Sequence, residues 1–344
     1  MKKKSVLNLI KYHAEHNDPA FRAEAYEIAQ EFDIKGDYQL AEYVMALLSD
    51  TNTFVPQATE AETQFLQKIT QAQKPLPLPD AISEDIKGII NAVGHNAGVN
   101  KFLFQGPPGT GKTETSKQVA RILERDLYAV DFSSIIDSKL GQTAKNISTL
   151  FKEINGFHNP LHVVILFDEI DALALDRTSE RDIREMGRAT STFLKELESV
   201  NSQVVLIATT NLFSKFDKAM IRRFDYVVDF SRYSKEDLLD IAEILANSFL
   251  QQFKFAGKDT RLLRKILALA EQIPYPGELS NIIKSAIAFS NPDVEHDYLS
   301  RIYKEITGNS KPDVYALKKS GFTLREIETI TGTPRSTLSR ELKG

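Results

Sequence analysis

The run Gly106-Pro107-Pro108-Gly109-Thr110-Gly111-Lys112-Thr113 is where this sequence commits to a chemistry. Its spacing, G-x-x-x-x-G-K-T, is that of a loop whose glycines let backbone N–H groups turn inward around a phosphate. The helix that follows adds partial positive charge from its N-terminus. In such a loop Lys112 reaches the outer phosphates and the Thr113 hydroxyl stands beside Mg²⁺. An apolar, β-rich run (102–105) precedes the loop and a helical pattern follows it, which is the context the spacing demands. A second apolar run, 163–167, ends in Asp168-Glu169. An acid at the first position can hold the Mg²⁺ shell, and one at the second can orient an attacking water or take its proton. Two carboxylates closing a strand can also be a plain helix N-cap. Beside a phosphate loop, they argue for hydrolysis over transfer to another acceptor, with which water would compete.

The elements that must carry these residues follow from periodicity. Apolar runs at 101–105, 127–131, 161–167, 203–209 and 225–230 alternate with helical patterns. Near-continuous apolar strands between helices predict an α/β fold, a parallel five-stranded sheet with helices on both faces. After Ser231 only helical patterns remain, at about 234–249, 259–273, 277–290 and 293–307, a small all-α unit. The first 55 residues are also helical in pattern, with Val6, Leu7 and Ile10, then Phe21, Ala25 and Ile28, then Leu40, Tyr43, Val44 and Leu47 at three- and four-residue spacing. Such a module can recruit a partner or serve as a packing extension. The stretch 72–80, with three prolines, is expected to be an extended linker. The organisation expected is therefore a helical module over 1–71, a linker over 72–80, a nucleotide-binding α/β domain over 81–232, a helical unit over 233–309 and a distinct tail over 310–344.

The 344 residues are 42% hydrophobic and 26% charged with a net charge of −4, which does not advertise nucleic-acid binding for the whole molecule. No cysteine is present, so disulfides, thiolate metal sites and a Cys nucleophile are excluded. No apolar run approaches the roughly 18 residues of a membrane span, and Lys11 interrupts the apolar start too early for a signal peptide. The expectation is a cytoplasmic protein with no membrane partner.

Four stretches together, residues 106–113, Ile165-Leu166-Phe167-Asp168-Glu169-Ile170-Asp171-Ala172-Leu173, Ile207-Ala208-Thr209-Thr210-Asn211 and residues 217–225, resemble the AAA-type ATPases of the katanin, spastin and FtsH branch. The resemblance covers roughly 82–290 and implies a P-loop NTPase fold with a helical lid, with ATP and Mg²⁺ as ligands. It implies that Asn211 senses the γ-phosphate or water from the side opposite Glu169. Arg222 and Arg223 match arginine fingers that act on ATP in a neighbouring subunit, which implies a ring, a homohexamer. Gly277 matches the small residue that opens the lid helix beside the adenine. The branch carries a pore-loop aromatic that grips polypeptide, but here that position is Lys139, followed by Leu140. A ring of lysines suits a polyanion or an acidic peptide, and a tolerated substitution in a threading loop is the other reading.

The tail, 311–344, suggests helices at about 312–319, 323–330 and 334–342 and resembles the helix-turn-helix of resolvase-like DNA-binding domains. Thr323, Glu326, Ile327, Gly332, Thr333, Thr337, Leu338 and Arg340 fit that pattern, whereas Glu328 stands where a small residue is usual. Seven basic residues against four acids give it a local charge of +3. The resemblance implies that Arg335, Ser336, Thr337 and Arg340 meet DNA; a protein-interaction module or packing tail fits the same helices. Two functions follow. In one, an ATPase remodels or unfolds a protein client recruited by the N-terminal module, tethered to DNA. In the other, ATP controls oligomerisation of a DNA-bound regulator or assembly factor, as in transposition helpers.

Overall fold

The computed structural model describes all residues except 1–2, 16, 35–36, 49–62, 70–75, 96–97, 131, 137–140, 158, 174–179, 217, 254–255, 309–311 and 343–344. The chain divides into two compact units, Met1–Gln64 and Phe65–Gly344.

The first unit holds three helices, α1 (Lys3–Ala14), α2 (Asp18–Ile34) and α3 (Tyr38–Leu48). Among its described residues the buried side chains are Ala25, Ile28, Ala29, Ala41 and Leu48. The expected apolar stripe is only partly used, because Leu7 and Ile10 are 66% and 62% exposed and Leu40 is also exposed.

In the second unit, β1 (Leu66–Lys68) is followed by α4 (Asp80–Gly94), β2 (Lys101–Gln105), α5 (Lys112–Ile122), β3 (Asp126–Val130), α6 (Phe132–Ile135) and α7 (Gln142–Asn155). Then come β4 (Val163–Phe167), α8 (Glu180–Glu198), β5 (Val205–Thr210), α9 (Lys218–Ile221) and β6 (Tyr226–Asp229). The sheet order is β1-β3-β4-β5-β2-β6, parallel throughout except that β1 runs antiparallel to β3. All five expected strands are present. Among the described residues the sheet nevertheless has six, and the sixth corrects the boundary at 71: Leu66–Lys68 pairs with β3 and belongs to the sheet, not to the helical module. Three residues, of which only Leu66 is buried, leave too little periodicity to read.

Strand β4 shows why the sheet lies in the middle. Val163, Ile165 and Phe167 enter one core with Phe151 and Phe193, while Val164 and Leu166 enter the other with Ile82, Ile86 and Val119. Both faces are covered, as a run of five apolar residues requires. The rings of Phe151, Phe167 and Phe193 meet at centroid separations of 5.5–5.8 Å.

The remaining helices are α10 (Lys235–Leu250), α11 (Thr260–Leu267), α12 (Pro276–Ala288) and α13 (Asp297–Thr307), then α14 (Val314–Lys319), α15 (Leu324–Thr331) and α16 (Arg335–Glu341). A reciprocal Ser234–Asp237 capping box starts α10, and Thr323–Glu326 does the same for α15. The tail helices do not form a core of their own. Leu317, Phe322, Ile327, Ile330 and Leu338 join one hydrophobic cluster with Leu263, Ile266, Leu299 and Ile302. Lys265 pairs with Glu326 at 2.7 Å, and the Ser300 hydroxyl donates to the Ile330 carbonyl at 2.9 Å. The separate tail drawn at 310–344 is thus continuous with the helical unit before it.

Candidate functional site

A parallel sheet brings the carboxyl ends of its strands to one edge, and here β5 lies between β2 and β4. The register sets the levels: Gln105 stands opposite Thr210, and Phe167 opposite Ala208. Asp168 and Asn211, each just past its strand, therefore face one cavity of about 390 Å³, together with the loop that follows β2. Its wall includes Pro108, Gly109, Thr110, Gly111, Lys112 and Thr113 along the glycine-rich loop, and Asp168, Glu169 and Asn211 opposite.

Backbone conformation explains the glycines at two points. Gly106 has φ 147°, and a Cβ there would meet the Phe230 Cβ at 3.0 Å. Gly111, at φ 90°, turns the chain into α5. The Lys112 ammonium donates to the carbonyls of Gly106 (2.7 Å) and Pro107 (2.8 Å) and to Asn211 Oδ1 (2.8 Å). Burial pushes this ammonium below its ordinary pKa, and Asp171, Asp168 and Glu169 oppose the fall. The Thr113 hydroxyl donates to the Asp168 carboxylate at 3.0 Å. Glu169 follows in the left-handed region at φ 52°.

Gly277 lies where the helical unit touches the loop. Its N–H donates to the Gly109 carbonyl at 2.8 Å, and an added Cβ would stand 2.8 Å from the Gly109 Cα. Tyr233 reinforces this contact, its hydroxyl donating to the Thr110 carbonyl at 2.8 Å while burial pushes its pKa up. The apolar end of the cavity is walled by Leu76, Pro77, Leu78 and Pro276, so part of the proline-rich stretch expected as a linker lines the site.

Arg222 and Arg223 do not line this cavity. Arg222 is exposed, whereas the Arg223 guanidinium pairs with Glu198. Lys139 and Leu140 lie outside the described residues. In α16, Ser336, Thr337 and Arg340 are exposed, and Arg335 is tied to Glu328 by an ion pair at 2.8 Å. Glu328 also accepts the Arg335 N–H at 3.2 Å, so the residue that misfits the helix-turn-helix pattern fastens the start of α16.

Sequence reasoning missed four contributors. Asp171, 8% exposed, accepts from the Thr210 hydroxyl and from the Asn211 N–H at 2.9 Å, fixing the end of β5. Thr209 ties that strand to Asp168 and Glu169. Tyr233 and the Leu76–Leu78 wall complete the set. Asp171 and Thr209 sit inside the quoted motifs, where a polar residue beside an apolar run was the available signal.

The arrangement offers a row of backbone N–H groups, one ammonium and paired carboxylates at one end and an apolar slot at the other, which suits a nucleoside polyphosphate. Residues 102–232 match the family described as "ATPase family associated with various cellular activities (AAA)". This stretch is similar to the ATPase domains of that family. It is similar to the AAA family ATPase y4kL of Sinorhizobium fredii, 38% identical over 133 residues, which is 39% of each chain. The vesicle-fusing ATPase of Arabidopsis thaliana is 31% identical over 221 residues, 60% of this chain and 29% of that one. Proteasome-activating nucleotidase 1 of Halobacterium salinarum is 33% identical over 148 residues, 41% of this chain and 36% of that protein. The matches thus span well under two thirds of these relatives. A chain of the solved E. coli MS115-1 HORMA:CdnC:Trip13 complex shares the fold beyond the AAA domain, with TM-score 0.56 and 17% identity over 73% of this chain and 96% of that one. No helix among the described residues is long and apolar enough to cross a membrane.

Proposed function

We propose that this chain hydrolyses ATP to ADP and phosphate and uses the reaction to remodel a macromolecular client. The observation that carries this reading is the convergence of Lys112, Thr113, Asp168, Glu169 and Asn211 on one cavity. The base enters the apolar slot between Leu78 and Pro276. The polyphosphate lies along the N–H groups of Gly109 to Thr113, and Lys112 exchanges its carbonyl partners for phosphate oxygens. Hard oxygen donors, the Thr113 hydroxyl and the Asp168 carboxylate, already sit 3.0 Å apart, which fits Mg²⁺ held by one or two protein oxygens, water and phosphate. When bound, Mg²⁺ supplies charge neutralisation at the phosphates. Glu169 orients a water and takes its proton as the water oxygen bonds to the γ-phosphorus and the bond to the bridging oxygen breaks. Asn211 holds the opposite side.

Arg222 and Arg223 lie away from their own cavity, which supports use on a neighbouring copy and hence a ring. Arg223 must leave Glu198 to do this. The test is Glu169→Gln in the full chain. Steady-state turnover is expected to fall at least a hundredfold while a fluorescent ADP analogue still binds. Turnover equal to wild type in that variant overturns the reading.

A second reading, ATP-controlled assembly on DNA, draws support from the exposed Ser336, Thr337 and Arg340 on a helix anchored by buried Leu338. Removing the tail would open the shared core, so the usable test is Arg340→Glu in the full chain. Loss of duplex-DNA binding relative to wild type supports it, and no binding by wild type ends it.

A further inference from the structure

The ladder between β4 and β5 ends at Phe167 opposite Ala208, so backbone pairing between these strands no longer specifies the turn that carries the two carboxylates. One residue further on, a side chain takes over. Thr209 is 1% exposed, and its hydroxyl has both roles filled: it donates to Asp168 Oδ1 at 2.6 Å and accepts from the Glu169 N–H at 2.9 Å. That N–H belongs to a residue at φ 52°, a conformation that is strained for a non-glycine residue and persists only where neighbours hold it. Asp168 Oδ1 is at the same time 3.0 Å from the Thr113 hydroxyl. One buried hydroxyl therefore links the plane of the first carboxylate to the backbone of the second, and the wall of the cavity includes it.

We infer that Thr209 is a positioning residue for hydrolysis: its hydroxyl holds the Asp168-Glu169 turn so that the Glu169 carboxylate faces the cavity before nucleotide arrives. The inference rests on the hydrolytic reading above. It separates Thr209 from a packing residue, because valine fills the same volume and preserves the ladder but supplies neither hydrogen bond. Without them the Glu169 backbone is free to relax out of the left-handed region, which swings its side chain away from the water position. A displacement on the order of 1 Å at a reacting group can cost about a hundredfold in rate.

The experiment uses the full chain and compares wild type, Thr209→Val and Thr209→Ser by kcat, KM for ATP, affinity for a fluorescent ADP analogue, and Tm. Thr209→Val is expected to lose about tenfold to a hundredfold in kcat, with KM and ADP affinity within about twofold of wild type. Thr209→Ser, which keeps the hydroxyl, is expected to stay within about threefold in kcat. Wild-type kcat in Thr209→Val overturns the inference, as does a parallel fall of kcat, affinity and Tm in both variants, the mark of a purely structural role. If Thr209→Val does not fold, Thr209→Ala replaces it; equal kcat in the Ala and Ser variants then overturns the inference. A wild-type chain that turns over no faster than Glu169→Gln fails the hydrolytic reading itself, and the positioning role falls with it.

Discussion

The edge of the sheet and the last three helices hold their candidate residues by opposite means. At the sheet edge each side chain is fastened by another: Lys112 by Asn211, Thr210 by Asp171, Thr113 and Thr209 by Asp168. In α14 to α16 the backbone is fastened instead, by Leu317, Ile327 and Leu338 in a core shared with α11 and α13, and Ser336, Thr337 and Arg340 are left exposed. The first arrangement suits chemistry, where donors must be aimed before charge develops. The second suits recognition of a surface, where exposed charge is adjusted on contact while the platform stays rigid.

Gly277→Ala attacks the contact between α12 and the glycine-rich loop, and the largest effect on nucleotide binding is expected there. The new Cβ would press on the Gly109 backbone at 2.8 Å, which a main chain on both sides cannot absorb cheaply. Affinity for a fluorescent ADP analogue is expected to drop at least tenfold, and unchanged affinity would mean that α12 and the glycine-rich loop are not in register when nucleotide binds. Next comes Ile327→Ala, at a site with 0% exposure. A loss of about 2–5 kcal/mol is expected from denaturant unfolding. Because the core is shared, hydrogen exchange should accelerate in α11 and α13 as well as in α15; acceleration confined to α14–α16 would restore the tail as an independent unit.

Lys265–Glu326, the ion pair across this junction, gives the smallest effect. Burial pushes the Glu326 carboxyl up, but hydrogen bonds from Lys265 and Thr323 outweigh it and hold the pKa below the ordinary carboxylate value. A carboxylate depressed on folding adds stability that is present above its unfolded pKa and lost as pH falls through its folded pKa. Lys265→Met should therefore lower Tm by a few degrees at pH 7, with the difference from wild type shrinking as the solution is acidified below about pH 4. A difference that does not change with pH would assign the effect to packing of the lysine stem over Phe322, whose ring centre lies 5.5 Å from the ammonium.

The readability of the sequence divides along the same line as the two regions. Glycine, lysine and acid spacing at 106–113 and 165–169 singled out Pro108 to Thr113, Asp168 and Glu169, which line the cavity, because the chemistry restricts both their types and their distances. Apolar runs long enough to be buried on both faces disclosed β2 to β6, while β1 was too short. Helix positions in the tail were legible from Gly321 and Gly332, which separate them, but its fusion to α11 and α13 was not. Periodicity shows that Leu317 and Ile327 need a partner surface, not which surface it is. Thr209 and Asp171 escaped for a related reason: their roles exist only once β4 and β5 lie side by side.

Tyr233 stands one residue before the capped start of α10 and hangs by its hydroxyl from the Thr110 carbonyl. The segment that leads from the sheet into the helical unit is therefore hooked to the glycine-rich loop. A load placed on α14–α16 is carried through that one core to α10, whose first turn begins beside this hydrogen bond.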